Sequence, residues 1–330
     1  MRPFTYVRAS DPAQAAALAV AEPDTTYLAG GTNLIDLMKL GVARPARLVD
    51  ITELPFDRIQ HRPDGGALVG ATVRNADLAG DIGIRQRFPM LSEAVLAGAS
   101  GQLRSAATTG GNLLQRTRCV YFQDITKPCN KRTPGAGCSA IEGHHRDLAV
   151  LGTSDSCVAT HPSDMVVGLA ALDAVVHVRR AGGAQAAIPL GAFYRLPGDT
   201  PDRETVLEGG DLITAVELPP PPPGAVMRYR KIRDRASYAF AVVSVAAVVA
   251  ADADKRLRDV RIALGGVAPV PWRARRIERA LVGQRPDEET LRAAGEDEFS
   301  SATPLPHNAF KIGLAVDVVS TTVLDLLEAV

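Results

Sequence analysis

Apolar positions in the first 55 residues come in short runs, each closed by a polar or glycine-bearing turn. A strand is predicted over 4–7. Asp11 followed by Pro12 has the form of a helix cap and first helical residue, and the helix runs to Ala21. A second strand over 25–29 runs into Gly30-Gly31-Thr32-Asn33; a helix from there stops at Gly41, and a third strand covers 48–51. This is a small βαβαβ-like unit with a glycine turn at one helix entry. Between 56 and 218 the pattern is mixed, with strands over 67–70 and 174–178 and helices over 90–97 and 164–172. Five prolines, 219–223, then Gly224, favour polyproline II and mark a linker over 219–224. Beyond it, strands over 225–233, 242–250 and 260–264 precede helices over 273–281, 288–294 and 307–327, the layout of a sheet covered by helices on one face. The chain thus divides into 1–55, 56–218 and 225–330.

Composition narrows the class. The 330 residues are 46% hydrophobic and 22% charged, which argues for a packed chain of two or three domains and against disorder. Thirty-seven basic residues balance thirty-seven acidic ones, so there is no basic excess to suggest nucleic acid or an anionic membrane. The longest apolar stretch, 239–251, is interrupted by Ser244 and too short to span a bilayer. The first residues lack the apolar segment of a secretory signal, so the sequence alone reads as cytoplasmic.

All four cysteines, Cys119, Cys129, Cys138 and Cys157, fall in one segment among Pro, Gly, Lys, Arg and Asn, where no core is expected. The segment is too long for an ordinary connection and is expected to be functional or ordered by what it binds. Metal or cluster ligation is favoured over disulfides, which a chain of this size hardly needs. Gaps of nine, eight and eighteen residues lack the close pairs of structural zinc sites, whereas an open loop can wrap a 4Fe-4S cluster. Six basic residues against two acidic ones between 116 and 146 would suit an anionic cluster, or equally a solvated face. His144 and His145 are alternative zinc ligands, more simply a surface pair.

Two turns carry the other signal. Gly30-Gly31-Thr32-Asn33 follows a strand and opens a helix, with Thr32 or Asn33 as cap or phosphate donor; Thr108-Thr109-Gly110-Gly111-Asn112 repeats the chemistry. Glycines let backbone approach a ligand and aim several N–H groups at one anion. The pair could clamp the two phosphates of a dinucleotide, or be two tight turns and nothing more. Neither has the spacing of the dinucleotide fingerprint or of a P-loop.

In order along the chain, the segment 28–34, the Thr-Thr-Gly-Gly-Asn turn, His161-Pro162-Ser163-Asp164 and Tyr229-Arg230-Lys231-Ile232 resemble the FAD-binding subunits of the xanthine dehydrogenase and molybdenum hydroxylase family. The cysteine loop, over about 113–160, is similar to that of the periplasmic aldehyde oxidoreductase type with its extra 4Fe-4S cluster; the flavin subunit of 4-hydroxybenzoyl-CoA reductase has a comparable loop. The resemblance implies an α+β, vanillyl-alcohol-oxidase-like (PCMH-type) FAD fold in two subdomains, 1–55 and 56–218, with a C-terminal αβ domain of the CO dehydrogenase flavoprotein type.

It further implies that Leu28, Ala29, Gly30, Gly31, Thr32, Asn33 and Leu34, with Thr108, Thr109, Gly110, Gly111 and Asn112, cradle the FAD pyrophosphate. Asp164 would bond the ribityl chain or ring region, or cap its helix. Lys231 would stand by the flavin's pyrimidine edge; without the resemblance it reads as a solvated charge. Ile213 would pack on adenine or ring, Tyr238 or Phe240 would shield a flavin face or be core, and the four cysteines would hold the cluster. Implied partners are a large molybdenum-cofactor subunit and a small 2Fe-2S subunit in a heterotrimer, with an external electron acceptor. Substrate oxidation would occur on the large partner, and a signal-bearing partner would allow co-export to the periplasm. Alternatives are the flavin subunit of another molybdenum hydroxylase, a self-sufficient flavin reductase and a zinc-stapled interaction subunit.

Overall fold

The computed structural model describes all 330 residues. Strands β1 (Thr5–Arg8), β2 (Thr25–Leu28) and β3 (Arg47–Asp50) form a parallel sheet in the order β1-β3-β2. The Pro12–Ala21 helix starts where the Asp11 carboxylate accepts the N–H groups of Ala13 and Gln14, as its sequence implies. A second, antiparallel sheet holds β4 (Ile59–His61), β5 (Ala67–Gly70), β6 (Val175–Arg179), β7 (Gln185–Pro189) and β8 (Leu212–Leu218), ordered β4-β5-β8-β6-β7. Its central strand β8 is not evident from the sequence. The ladder between β6 and β8 shifts register at His177/Val178, so the buried positions of β8 do not alternate as a half-buried strand's would. The proline run follows β8 directly.

The third sheet, ordered β12-β11-β10-β9, is antiparallel: β9 (Val226–Ile232), β10 (Val243–Ala251), β11 (Leu257–Gly265) and β12 (Trp272–Arg273). The helices Arg275–Leu281 and Phe310–Ala329 cover one face, with Glu288–Glu298 packed against both of them. The expectation of a single covered face fails, because the helices Pro89–Ala97 and Asp164–Ala171, from the preceding half of the chain, pack on the other. All nine residues of β10 are therefore buried. Val243, Val245 and Val249 face the C-terminal helices, while Ala246 and Val248 join a core with Leu91, Met165 and Val69. A strand covered on both sides reads as a nearly unbroken apolar run, and 239–251, with Ser244 its one polar residue, has that form. No helix is long and apolar enough to cross a membrane.

The shared core makes a test of cooperativity. Leu91 is fully buried in it. Leu91→Ala is expected to cost about 2–5 kcal/mol and to move one unfolding transition followed by both far-UV circular dichroism and Trp272 fluorescence. Two separate transitions, with only one displaced, would show instead that the halves unfold independently.

Candidate functional site

A cleft of about 1260 Å³ is bounded by all three sheets and the loops between them. It exceeds the roughly 300–1,000 Å³ of a site for a drug-sized ligand and suits an extended one. Of the fifteen residues expected to touch a cofactor, thirteen line it; Leu28 and Thr109 stand behind its wall.

The first glycine turn forms one wall. Gly31 has φ +71°, and a Cβ on Gly30 would lie 2.0 Å from the Ala106 carbonyl oxygen, so only glycine lets this turn rest against Ala106-Ala107, just before Thr108. None of the backbone N–H groups of Gly30, Gly31, Thr32 and Asn33 donates to a protein acceptor. Asn33 occupies the cap position of the Leu34–Lys39 helix but makes no side-chain capping bond. Its Oδ1 accepts the Arg116 N–H at 2.9 Å, and its Nδ2 is buried without a partner. Four unpaired amides and one orphaned donor, in a turn with a positive-φ residue, have the character of an anion-binding nest. The donor set fits a pyrophosphate.

The second turn departs from the expectation. The N–H groups of Thr109 and Gly110 bond Val73 and Ala71 carbonyls, that of Gly111 bonds Thr108 Oγ1, and that of Asn112 bonds the Thr108 carbonyl. These amides are consumed in fixing a short helix, Thr109–Leu113, so the second turn offers wall rather than donors. Its contribution lies in Asn112, whose Oδ1 accepts from Ser163 Oγ at 2.5 Å and Gln115 Nε2 at 2.9 Å.

Ser163, not Asp164, caps the next helix: its hydroxyl accepts the Val166 N–H. Asp164 is thereby free to face the cleft. Its Oδ1 accepts from the Tyr229 hydroxyl at 2.5 Å and its Oδ2 from Lys231 Nζ at 2.8 Å, while Nζ also donates to the Ala97 carbonyl at 3.1 Å. Lys231 is thus neither solvated nor unpaired; its side chain is 4% exposed. Burial pushes the Asp164 carboxyl up from its usual range, against the pull of Lys231. Ser244 Oγ, on the neighbouring strand β10, is buried in the same wall without a partner. Ile213 is buried in the first core and contributes to the cleft lining as well. Tyr238 and Phe240 are not core: both are more than half exposed or nearly so on the cleft rim, stacked under Arg235 and Arg118. Tyr238 has φ +51°.

The cysteines do have a core about them, contrary to expectation. Cys119, Cys129 and Cys157 are buried with Leu37, Phe122, Leu148 and Val158, and Cys138 packs against the group. All four are free thiols, and Cys129 lies across an antiparallel bridge from Cys138. Burial pushes the Cys119 thiol up to about 11 and raises Cys157 as well. Thiols so placed stay protonated unless a cation draws off the proton. No three His, Cys, Asp or Glu side chains stand close enough to grip a single metal ion. Nor are the two histidines a surface pair. His144 is exposed, whereas His145 is buried, stacks on His307 with ring centroids 4.8 Å apart and accepts its N–H at 3.1 Å.

Glu204 is not marked out in the sequence, Arg116 counts there only as one cation of the cysteine loop, and Tyr229 figures only within the motif around Lys231; yet all three are built into this geometry. Arg116 and Glu204 lie in stretches with no periodicity, and Tyr229 is hidden in a strand of alternating basic residues. Burial pushes the Glu204 carboxyl up, but Arg116 and Lys131 outweigh it and hold the group below the usual carboxylate range.

Residues 2–221 match the FAD binding domain in molybdopterin dehydrogenase, and residues 227–316 the CO dehydrogenase flavoprotein C-terminal domain. The chain is 50% identical over 315 residues to the aldehyde oxidoreductase FAD-binding subunit PaoB of Escherichia coli, covering 96% of this chain and 95% of that one. It is 24% identical to the glyceraldehyde dehydrogenase medium chain of Sulfolobus acidocaldarius over 91% of this chain and 89% of that one. In fold it is similar to a chain of the carbon monoxide dehydrogenase of Hydrogenophaga pseudoflava, with TM-score 0.77 and 23% identity over 99% and 98% of the two chains. With the first domain matched over most of the sequence and the second directly after it, the chain belongs to the FAD-binding subunits of the molybdopterin dehydrogenase family.

Proposed function

We propose that this chain is the electron-transfer subunit of a molybdenum-dependent aldehyde oxidoreductase, holding FAD in the cleft and a 4Fe-4S cluster in the cysteine loop. The observation that carries the flavin assignment is the set of four free amides and the orphaned Asn33 Nδ2 in one cleft with the buried Asp164–Lys231 pair. The aldehyde substrate class rests on the identity to the E. coli subunit, nearly end to end. Support for the cluster is the gathering of four free thiols in one small core, on a loop long enough to wrap an inorganic core.

Bound FAD supplies exchange between one- and two-electron chemistry. The protein's own groups then have separate tasks. The Gly30–Asn33 amides bind and neutralise the pyrophosphate, and the Asn33 amide completes that shell. Lys231, held by Asp164 and the Ala97 carbonyl, brings fixed positive charge to the ring end and favours added negative charge there. Tyr229 fixes the Asp164 carboxylate. In this reading a large partner with a molybdenum cofactor oxidises an aldehyde with water to a carboxylic acid, releasing two electrons and two protons. A small 2Fe-2S partner hands the electrons to this chain, which delivers them to an external acceptor.

Three outcomes are expected. Gly111→Glu sets a carboxylate into the cleft wall and abolishes flavin retention in the folded protein, measured by absorbance after gel filtration; full FAD occupancy would sink the cleft assignment. Cys129→Ser loses iron by metal analysis of anaerobically purified protein, and loss of zinc instead would replace the cluster with a structural ion. Lys231→Ala strands a buried carboxylate and costs about 3–5 kcal/mol in thermal unfolding. It also lowers the flavin midpoint by roughly 30 mV or more, a tenfold change in a two-electron equilibrium. An unchanged potential removes Lys231 from the ring end.

A further inference from the structure

Arg116 touches both candidate sites at once. Its backbone N–H donates to Asn33 Oδ1 at 2.9 Å, a bond that fixes the side chain of a residue in the cleft wall. Its guanidinium points the other way: Nε donates to Glu204 Oε2 at 2.5 Å, Nη2 to the Lys131 carbonyl at 3.3 Å, and its carbon lies 4.7 Å from the centre of the Phe122 ring. Lys131 follows Cys129 by two residues and closes the triangle, with Nζ 2.8 Å from Glu204 Oε1 and 3.0 Å from the Pro201 carbonyl. The Phe122 N–H bonds the Cys119 carbonyl at 3.0 Å. Two of the segments that carry cysteines therefore grip one side chain, and that residue's backbone holds the side chain of the nest.

We infer that Arg116 is a positioning residue that couples filling of the cysteine site to flavin binding in the cleft. The inference rests on the function proposed above and goes beyond it. With the thiols ligated, the backbone at 119–122 and 129–131 is held, Arg116 is fixed between Phe122, Lys131 and Glu204, and Asn33 is held in the orientation that serves the pyrophosphate. With the thiols free, that anchorage rests on a small core and the bonds of Glu204 to Arg116 and Lys131, without covalent ligation to hold the backbone, and part of the ordering of Asn33 is done by the flavin at the expense of its own affinity. Linkage makes the effect reciprocal: flavin in the nest favours a filled cysteine site by the same factor.

The test is a cycle on the full chain: wild type, Cys129→Ser, Arg116→Ala and the double variant, each purified anaerobically and confirmed folded by circular dichroism. Iron is measured by metal analysis, and the FAD dissociation constant by quenching of flavin fluorescence. Cys129→Ser is expected to weaken FAD by about 5- to 150-fold, the usual range of coupling between sites. Arg116→Ala should weaken it comparably, and the double variant should be no weaker than Arg116→Ala. Fold-losses that multiply in the double variant mean two independent effects and overturn the coupling. So does wild-type FAD affinity in iron-free Cys129→Ser. Should Arg116→Ala not fold, Glu204→Gln cuts the same clasp from its other side and takes its place in the cycle. Iron absent from the wild type overturns the cluster reading, and this coupling with it; iron present with multiplying losses overturns the coupling alone.

Discussion

Neither a carboxylate nor an ammonium is tolerated alone in a protein interior, so Asp164 and Lys231 have to be buried together. They come from opposite sides of the proline run: Asp164 opens the helix that packs on β10 and β11, and Lys231 lies in β9 of the sheet beneath. Their 2.8 Å contact requires the C-terminal sheet to dock on the Pro89–Ala97 and Asp164–Ala171 helices in one register, and the shared core of Leu91, Met165, Ala246 and Val248 supplies the apolar surface that makes docking favourable. Breaking such a pair typically costs about 3–5 kcal/mol, a large share of a domain's net stability. The pair thus ties the relative placement of the two halves to the wall of the cleft between them.

Much of this was legible in the residues, and the limits are physical. The Asp11 cap, the Gly30 turn and the run through β10 are local signals, each set by backbone conformation or burial within a few residues. Glycine at position 30 is demanded by the Ala106 carbonyl, and the sequence shows the glycine but not the neighbour that requires it. The two Gly-Gly turns look alike in one dimension. They differ in whether acceptors reach the amides: in the second turn Thr108 takes two of them locally, and the Ala71 and Val73 carbonyls, from the turn after β5 more than thirty residues earlier, take the other two. Lys231 sits among alternating basic residues in a strand whose outer positions are wet, and its inward partner lies 67 residues earlier. Pairings of that separation leave no periodicity to read.

The cysteine loop was the most conspicuous feature of the sequence, and its placement in the fold explains how so long an excursion is accommodated. It departs from the Thr109–Leu113 helix after Asn112 and returns at Ser163, the cap of the Asp164–Ala171 helix, and these two residues bond each other at 2.5 Å through Oδ1 and Oγ. The excursion therefore begins and ends at one point, and the elements on either side would meet there whatever its length. Closing a long loop costs little more entropy than closing a moderate one, because the cost grows only with the logarithm of length. The expensive part is ordering the residues inside it, at about 1–2 kcal/mol each for backbone alone. A nine-residue core and a half-buried Lys131–Glu204–Arg116 cluster work against that cost.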